Sequence, residues 1–199
     1  MEHTRRGRPR SFDSDAALEK ALVVFWEHGY EGASLALLTE AMGISRKSMY
    51  AAFGNKEDLF LRVLQLYEKG PGSYARESVA APSAREVARA YLDGAVRAGT
   101  LPGQPSGCFG VRAALAVGVT GGTAQSILTT WRARTRSDLR DRFRRAIAEG
   151  DLPADADPDL LARYLTAVAD GVSVEAAGGA SADDLQRVVD AALAHWPPS

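Results

Sequence analysis

Arg46, Lys47 and Ser48 stand together at the start of a short helical segment, with Tyr50 and Ala51 close behind. Guanidinium and ammonium groups donate to guanine O6 and N7, and a serine hydroxyl donates or accepts at several base edges. A tyrosine hydroxyl and a lysine at a helix start suit phosphate oxygens. The chemistry open to this grouping is recognition of duplex DNA rather than the making or breaking of bonds. Catalytic groupings are missing: the three histidines, His3, His28 and His195, lie in no His-Glu-x-x-His motif, and there is no Gly-x-Ser-x-Gly or phosphate loop. An enzyme is not expected. Asp155, Asp157 and Asp159 have the alternate spacing of a calcium loop, but Leu160 and Thr166 occupy the positions that need Gly and Glu. Asp157 followed by Pro158 reads instead as a helix start, and neither a metal nor a cofactor is expected.

The elements that must position these residues are helices. Apolar residues recur at intervals of three and four almost throughout, and no alternating run is closed by a hairpin turn, so the chain is expected to be all-α. Asp13 or Ser14 caps a first helix to about His28, whose Ala17, Leu18, Ala21, Leu22, Phe25 and Trp26 share one face and which Gly29 stops. Ser34 caps a second helix ending near Met42, Gly43 makes the turn, and Ser45 caps a third to about Phe53. Leu35, Leu38, Met42, Ile44, Met49 and Phe53 fit the inward face of this pair, leaving Arg46, Lys47, Ser48, Ala51 and part of Tyr50 outside. That is the layout of a helix-turn-helix whose second helix enters the major groove. A plain helical hairpin with a solvated polar face is the alternative. A fourth helix starts near Lys56 and runs past Tyr67 to Gly70-Pro71-Gly72, and further helices are expected at about 83–99, 105–118, 121–149, 157–177 and 182–195.

Net charge gives DNA binding no help. The 199 residues carry a formal charge of -1, so contacts must come from a local patch. One such patch is a basic arm, Arg5, Arg6, Arg8 and Arg10 interleaved with Gly7 and Pro9, which suits an adjacent minor groove; a merely solvated basic terminus is the alternative. The single cysteine, Cys108, excludes an intramolecular disulfide and fits a reducing cytoplasm. The polar Ser11 to Asp15 stretch argues against a signal peptide, and no run approaches the roughly 20 apolar residues of a membrane span. A cytoplasmic protein without a membrane partner is expected.

Taken as a set, Arg6-Gly7-Arg8-Pro9-Arg10, Phe25-Trp26-Glu27-His28-Gly29-Tyr30, Ala33-Ser34, Gly43-Ile44-Ser45, Met49-Tyr50, Phe53 and Asn55-Lys56-Glu57-Asp58-Leu59 resemble the tetracycline-repressor-like (TetR) family over roughly residues 5–62. The resemblance implies a DNA-binding domain at 1–55, with a linking helix leading into a helical ligand-binding and dimerisation domain at 56–199. It implies a homodimer through the helices near 157–177 and 182–195, a palindromic double-stranded operator, and release of that operator when an unidentified small molecule binds. By position, Ser34, Tyr50 and Lys56 match the family's phosphate contacts, and Ser45, Arg46, Lys47, Ser48 and Ala51 lie on or beside its base-facing surface. Lys47, where the family often has a small residue, Ala51, where a polar one is frequent, and Thr39, where Ala is usual, depart from the pattern and leave the operator sequence open.

The C-terminal half carries weaker signals. Tyr91, Cys108, Phe109, Trp131 and Tyr164 are candidates to line a pocket, since helical bundles bind ligands between helices; aromatics at this spacing also build cores. Cys108 is either a sensor, with Arg112 near it, or a small core residue. The arginines Arg132, Arg134, Arg136, Arg140, Arg142, Arg144 and Arg145, interrupted by Asp138 and Asp141, read as a solvated face.

Overall fold

The computed structural model describes residues 12–115 and 122–197. Among them every regular element is helical, as the periodicity demands. Helix α1 (Ser14–Gly32) is started by Asp13, whose carboxylate accepts from the amides of Asp15 and Ala16, and is broken at Gly29, where φ is 68°. The chain then turns into α2 (Leu35–Met42), capped by Ser34, whose Oγ accepts from the Leu37 amide. Gly43 closes α2 at φ 68° and ψ 29°, a conformation that costs a side chain strain but glycine none. Ser45 then caps α3 (Arg46–Phe53) by accepting from the Ser48 amide at 3.1 Å. Helix α4 (Lys56–Lys69) opens on a reciprocal cap: the Asp58 amide donates to Asn55 Oδ1 at 2.8 Å and the Asn55 amide donates to Asp58 Oδ2 at 3.0 Å.

The second half begins with a short helix that periodicity does not reveal, α5 (Tyr74–Glu77), running into a 3-10 turn at Ser78–Ala80. Then come α6 (Ala84–Gly99), α7 (Phe109–Leu115), α8 (Thr123–Ala148), α9 (Pro158–Ala177) and α10 (Ala182–Ala194). The capping logic repeats: Asp157 accepts from the amides of Asp159 and Leu160 with Pro158 at the first helical position, and Asp159 lies in the first turn, so these two aspartates serve a helix start.

Two apolar clusters hold the chain. One joins α1 to α4 with Cys108, Phe109, Val111 and Leu128; the other joins α6, the C-terminal end of α8, α9 and α10. Helix α4 therefore packs with the helix-turn-helix, with α7 and with the first turns of α8 around Leu128 and Trp131. Aromatic rings form the seam. Trp26 meets Tyr67 edge-on at 5.2 Å between centroids, and Phe109 lies 5.6 Å from Phe60, 5.4 Å from Tyr67 and 6.2 Å from Trp26. Such pairs add about 0.5–1.5 kcal/mol each beyond the area they bury.

The arginines of α8 are not simply solvated. The buried Arg142 donates to the carbonyls of Ala81 and Pro82 at 3.0 and 2.9 Å, closing the loop before α6. Arg132 pairs with Asp170, and Arg140 and Arg144 approach Asp159, so one helix face is tied to the acids of α9.

Helices α5 and α6 approach closely because residue 94 has no side chain. A Cβ on Gly94 would stand 2.4 Å from Tyr74 Cβ and 2.5 Å from Tyr74 Cγ. Ala exceeds Gly in helix propensity by about 0.8–1 kcal/mol, whereas overpacking costs about 1–3 kcal/mol. Gly94→Ala is therefore expected to lower the melting temperature, and an unchanged or raised value would show that the two helices separate freely.

Candidate functional site

The site begins with the inner face of α3. Met49 and Phe53 are buried against Leu38 and Met42 of α2, while Leu35 and Ile44 are half-buried against the same cluster. Anchoring that face forces the other outward: Arg46, Lys47 and Ala51 are exposed, Tyr50 is 47% exposed, and Ser48 is half-buried. The hydroxyls of Ser45 and Ser48 lie 2.9 Å apart, so the two share a hydrogen bond at the amino end of α3. Ser34 uses its oxygen as the α2 cap, accepting from Leu37 at 3.1 Å, and keeps its hydroxyl proton to donate. The structure thus brings Ser45, Arg46, Lys47, Ser48, Tyr50 and Ala51 onto one short helix and its cap, with Ser34 at the start of the helix before it.

Lys56 takes a course that its position in sequence does not suggest. Its ammonium lies 4.4 Å above the Tyr30 ring at the amino end of α4. Burial among these groups holds its pKa below the usual lysine value, and the Glu31 carboxylate partly opposes that shift. As a phosphate ligand Lys56 must leave the ring, or serve from above it. Arg5, Arg6, Arg8 and Arg10 lie outside the described residues.

A second feature lies in the C-terminal half. A cavity enclosing about 430 Å³ of empty space, part of it open to solvent, is walled by Tyr74, Tyr91, Cys108, Trp131 and residues of α8 and α9. Of the five candidate pocket residues, Tyr91, Cys108 and Trp131 line it. Phe109 does not: it is fully buried in the aromatic seam among Trp26, Phe60 and Tyr67. Nor does Tyr164, whose hydroxyl donates to the Ala192 carbonyl at 3.0 Å and whose ring packs on Trp196. Residue type alone does not separate these uses of an aromatic. Arg132, Arg136 and Asp170 are wall residues that the reading of α8 as a solvated face leaves out. The signal available in sequence was their spacing, since Arg132 and Arg136 are four apart and so share a helix face.

Cys108 sits where the cavity, α4 and α9 meet. The Tyr67 hydroxyl donates to its Sγ at 3.2 Å, and its amide donates to Ser173 Oγ at 2.6 Å. Just before it, the Gly107 carbonyl accepts from Trp26 Nε1 at 3.1 Å. Burial pushes the thiol above its ordinary pKa, and the Tyr67 hydrogen bond only partly offsets this. The thiol is buried and enclosed by this packing, as small core cysteines are. On the other side of the cavity, Trp131 Nε1 donates to Glu68 Oε1 of α4 at 2.8 Å. The cavity wall thus grips the helix that leads back to the helix-turn-helix. Among the described residues no group of three or more His, Cys, Asp or Glu could hold a metal ion, and no helix is long and apolar enough to cross a membrane.

Comparison with known proteins adds the lineage. Residues 17–63 match the family described as bacterial regulatory proteins, tetR family, and residues 85–192 match the tetracyclin repressor-like C-terminal domain. The HTH-type transcriptional repressor ComR of Escherichia coli is 34% identical over 96% of this chain and 92% of its own length. YezE of Bacillus subtilis, an HTH-type transcriptional regulator, is 33% identical over 94% and 97%. Cysteine-substituted CifR, solved with a 26 bp double-strand operator DNA, superposes with a TM-score of 0.88 at 44% identity, covering 96% of this chain and 100% of that one. With both halves matched and the helix-turn-helix in place, the chain belongs to the TetR family of bacterial regulatory proteins, which are DNA-binding transcriptional regulators and not enzymes.

Proposed function

We propose that this protein is a cytoplasmic, homodimeric repressor that holds a palindromic operator and releases it when a small molecule enters the cavity between α6, α8 and α9. The observation that carries the reading is the Trp131–Glu68 hydrogen bond, which ties the cavity wall to α4 while α4 shares one apolar cluster with α2 and α3. An occupant that moves Trp131 must move α4 or break that bond, and α4 sets the position of the reading helix. Residues 1–55 form the DNA-binding unit in this reading, α4 is the link, and the Arg5–Arg10 arm reaches the minor groove beside the site that Ser34, Ser45 to Ser48, Tyr50, Ala51 and Lys56 contact. The operator-bound form of CifR supports the DNA half of the proposal. A gel-shift series against the DNA upstream of its own gene tests it, with salt varied; binding indifferent to sequence would overturn it.

For the dimer surface we propose the apolar positions that α9 and α10 leave exposed. Leu160 and Val174 on α9 are each 48% exposed, and Val188 on α10 is 51% exposed. Between the first two, Gly171 has nothing within 4 Å of where a Cβ would stand, so a second helix has room to approach. An isologous pairing of these faces covers the apolar stripe. Val174→Arg is expected to convert the protein to a monomer with unchanged helical circular dichroism, read by size exclusion with light scattering. A dimer that survives the substitution would move the interface elsewhere.

A further inference from the structure

The cavity wall specifies more than a place for an effector. Three ionised side chains face it, Arg132, Arg136 and Asp170. Arg132 is already paired with Asp170 across α8 and α9. Arg136 is left over: its Nε is buried and has no hydrogen-bond partner among the described residues. A buried charged donor without an acceptor is costly, and a planar carboxylate is the acceptor whose geometry a guanidinium matches best. The wall also carries one positive charge more than negative, so it favours an anion over a neutral or cationic occupant.

The rest of the wall narrows the shape. Trp131, Val111 and Ala169 supply apolar surface, and Tyr74 and Tyr91 present phenols. Burial and the Asp170 carboxylate hold both phenols above their ordinary pKa, so they remain neutral and can donate. Thr166 spends its proton within its own helix, on the Ala162 and Arg163 carbonyls at 3.0 Å, and so offers the cavity an acceptor more than a donor. The space between these walls is small and partly open to solvent, which favours a compact occupant. Resting on the effector reading above, we propose that the ligand is a compact monocarboxylate with an apolar body, its carboxylate on Arg136 beside the Arg132–Asp170 pair and its body against Trp131 and Val111. No covalent step is involved.

The test uses the full-length protein without DNA, titrated with benzoate, phenylacetate and 3-phenylpropanoate and, separately, with the matching primary amides. Isothermal calorimetry and quenching of tryptophan fluorescence give the affinities. At least one acid is expected to bind about 10- to 150-fold more tightly than its amide, the range of a hydrogen bond to a charged group. Arg136→Gln should erase that preference while leaving the melting temperature unchanged, and Arg136→Lys should restore part of it. If Arg136→Gln unfolds the protein, the Lys variant and the acid-to-amide ratio in the wild type still decide the matter. Amides that bind as tightly as acids, or three acids that all fail to bind, would overturn the proposal. Operator release is measured apart: acids that bind with the expected preference but leave operator affinity unchanged would sink the regulatory reading and keep the carboxylate site.

Discussion

Phe109→Ala is expected to destabilise the protein by about 3–5 kcal/mol, the usual cost of truncating a fully buried aromatic. Its ring has no exposed surface and touches Trp26 of α1 and Phe60 and Tyr67 of α4. Removing it opens a void at the junction where α7 meets both helices, and α1 and α4 are held in place by their own packing, so collapse of the void is resisted. For a chain of this size, roughly 2–4 °C is lost per kcal/mol, so the melting temperature should fall by roughly 6–20 °C. Chemical denaturation with an unchanged m-value is the measurement, since a changed slope would signal an altered denatured state or lost cooperativity. Phe109→Leu should cost markedly less, because much of the apolar volume stays. The substitution also separates two roles for this residue. A wall residue would lose ligand affinity at little cost to stability, whereas a seam residue loses stability while the affinity of the cavity changes little. A loss below about 1 kcal/mol would place Phe109 outside the group of residues whose truncation leaves a true void.

That residue also shows where reading the chain ran out. The local code was legible: Asp13, Ser34, Ser45 and Gly43 act where their types say they should, because capping and left-handed turns are decided within a few residues. The outward position of Arg46, Lys47 and Ala51 was legible for the same reason, since the apolar spacing of Leu38, Met42, Met49 and Phe53 sets the opposite face. What failed to show was anything set by distant partners. Phe109 and Tyr91 are both buried aromatics on helices, and only the packing of α1 and α4 against one of them makes it seam rather than cavity wall. Lys56 meets Tyr30 across 26 residues of chain, and Arg132 meets Asp170 across 38. The four-residue helix α5 is shorter than the window in which periodicity accumulates, and the Gly70-Pro71-Gly72 stretch before it reads as a simple stop.

Arg46→Ala and Lys47→Ala should each reduce binding to the specific operator without touching the fold. Both side chains are exposed, and the residues that anchor α3, Met49 and Phe53, point the other way, so stability should stay within about 0.5 kcal/mol. A side chain that reads a base edge is worth about 1–3 kcal/mol. In a symmetric dimer each substitution removes the contact from both half-sites. The loss then doubles to about 2–6 kcal/mol, or roughly 30-fold to 20,000-fold in affinity. The size alone does not distinguish base reading from phosphate contact; the salt dependence does. A lost phosphate contact weakens every sequence alike and reduces the slope of log affinity against log salt by about 1 per contact, so by about 2 per dimer. A lost base contact lowers the ratio of operator to random-sequence binding and leaves the slope near its original value. In the proposed docking both residues read bases, at the amino end of α3 that would enter the groove first, with Tyr50, on the same outward face, on the phosphates. Tyr50→Phe should accordingly weaken operator and random DNA by the same factor. Titrations of the three variants at two salt concentrations, on operator and scrambled duplexes, supply all of these quantities. If Arg46→Ala and Lys47→Ala left the operator-to-scrambled ratio intact, α3 would be a phosphate-binding element, and the reading of sequence would have to lie with the Arg5–Arg10 arm.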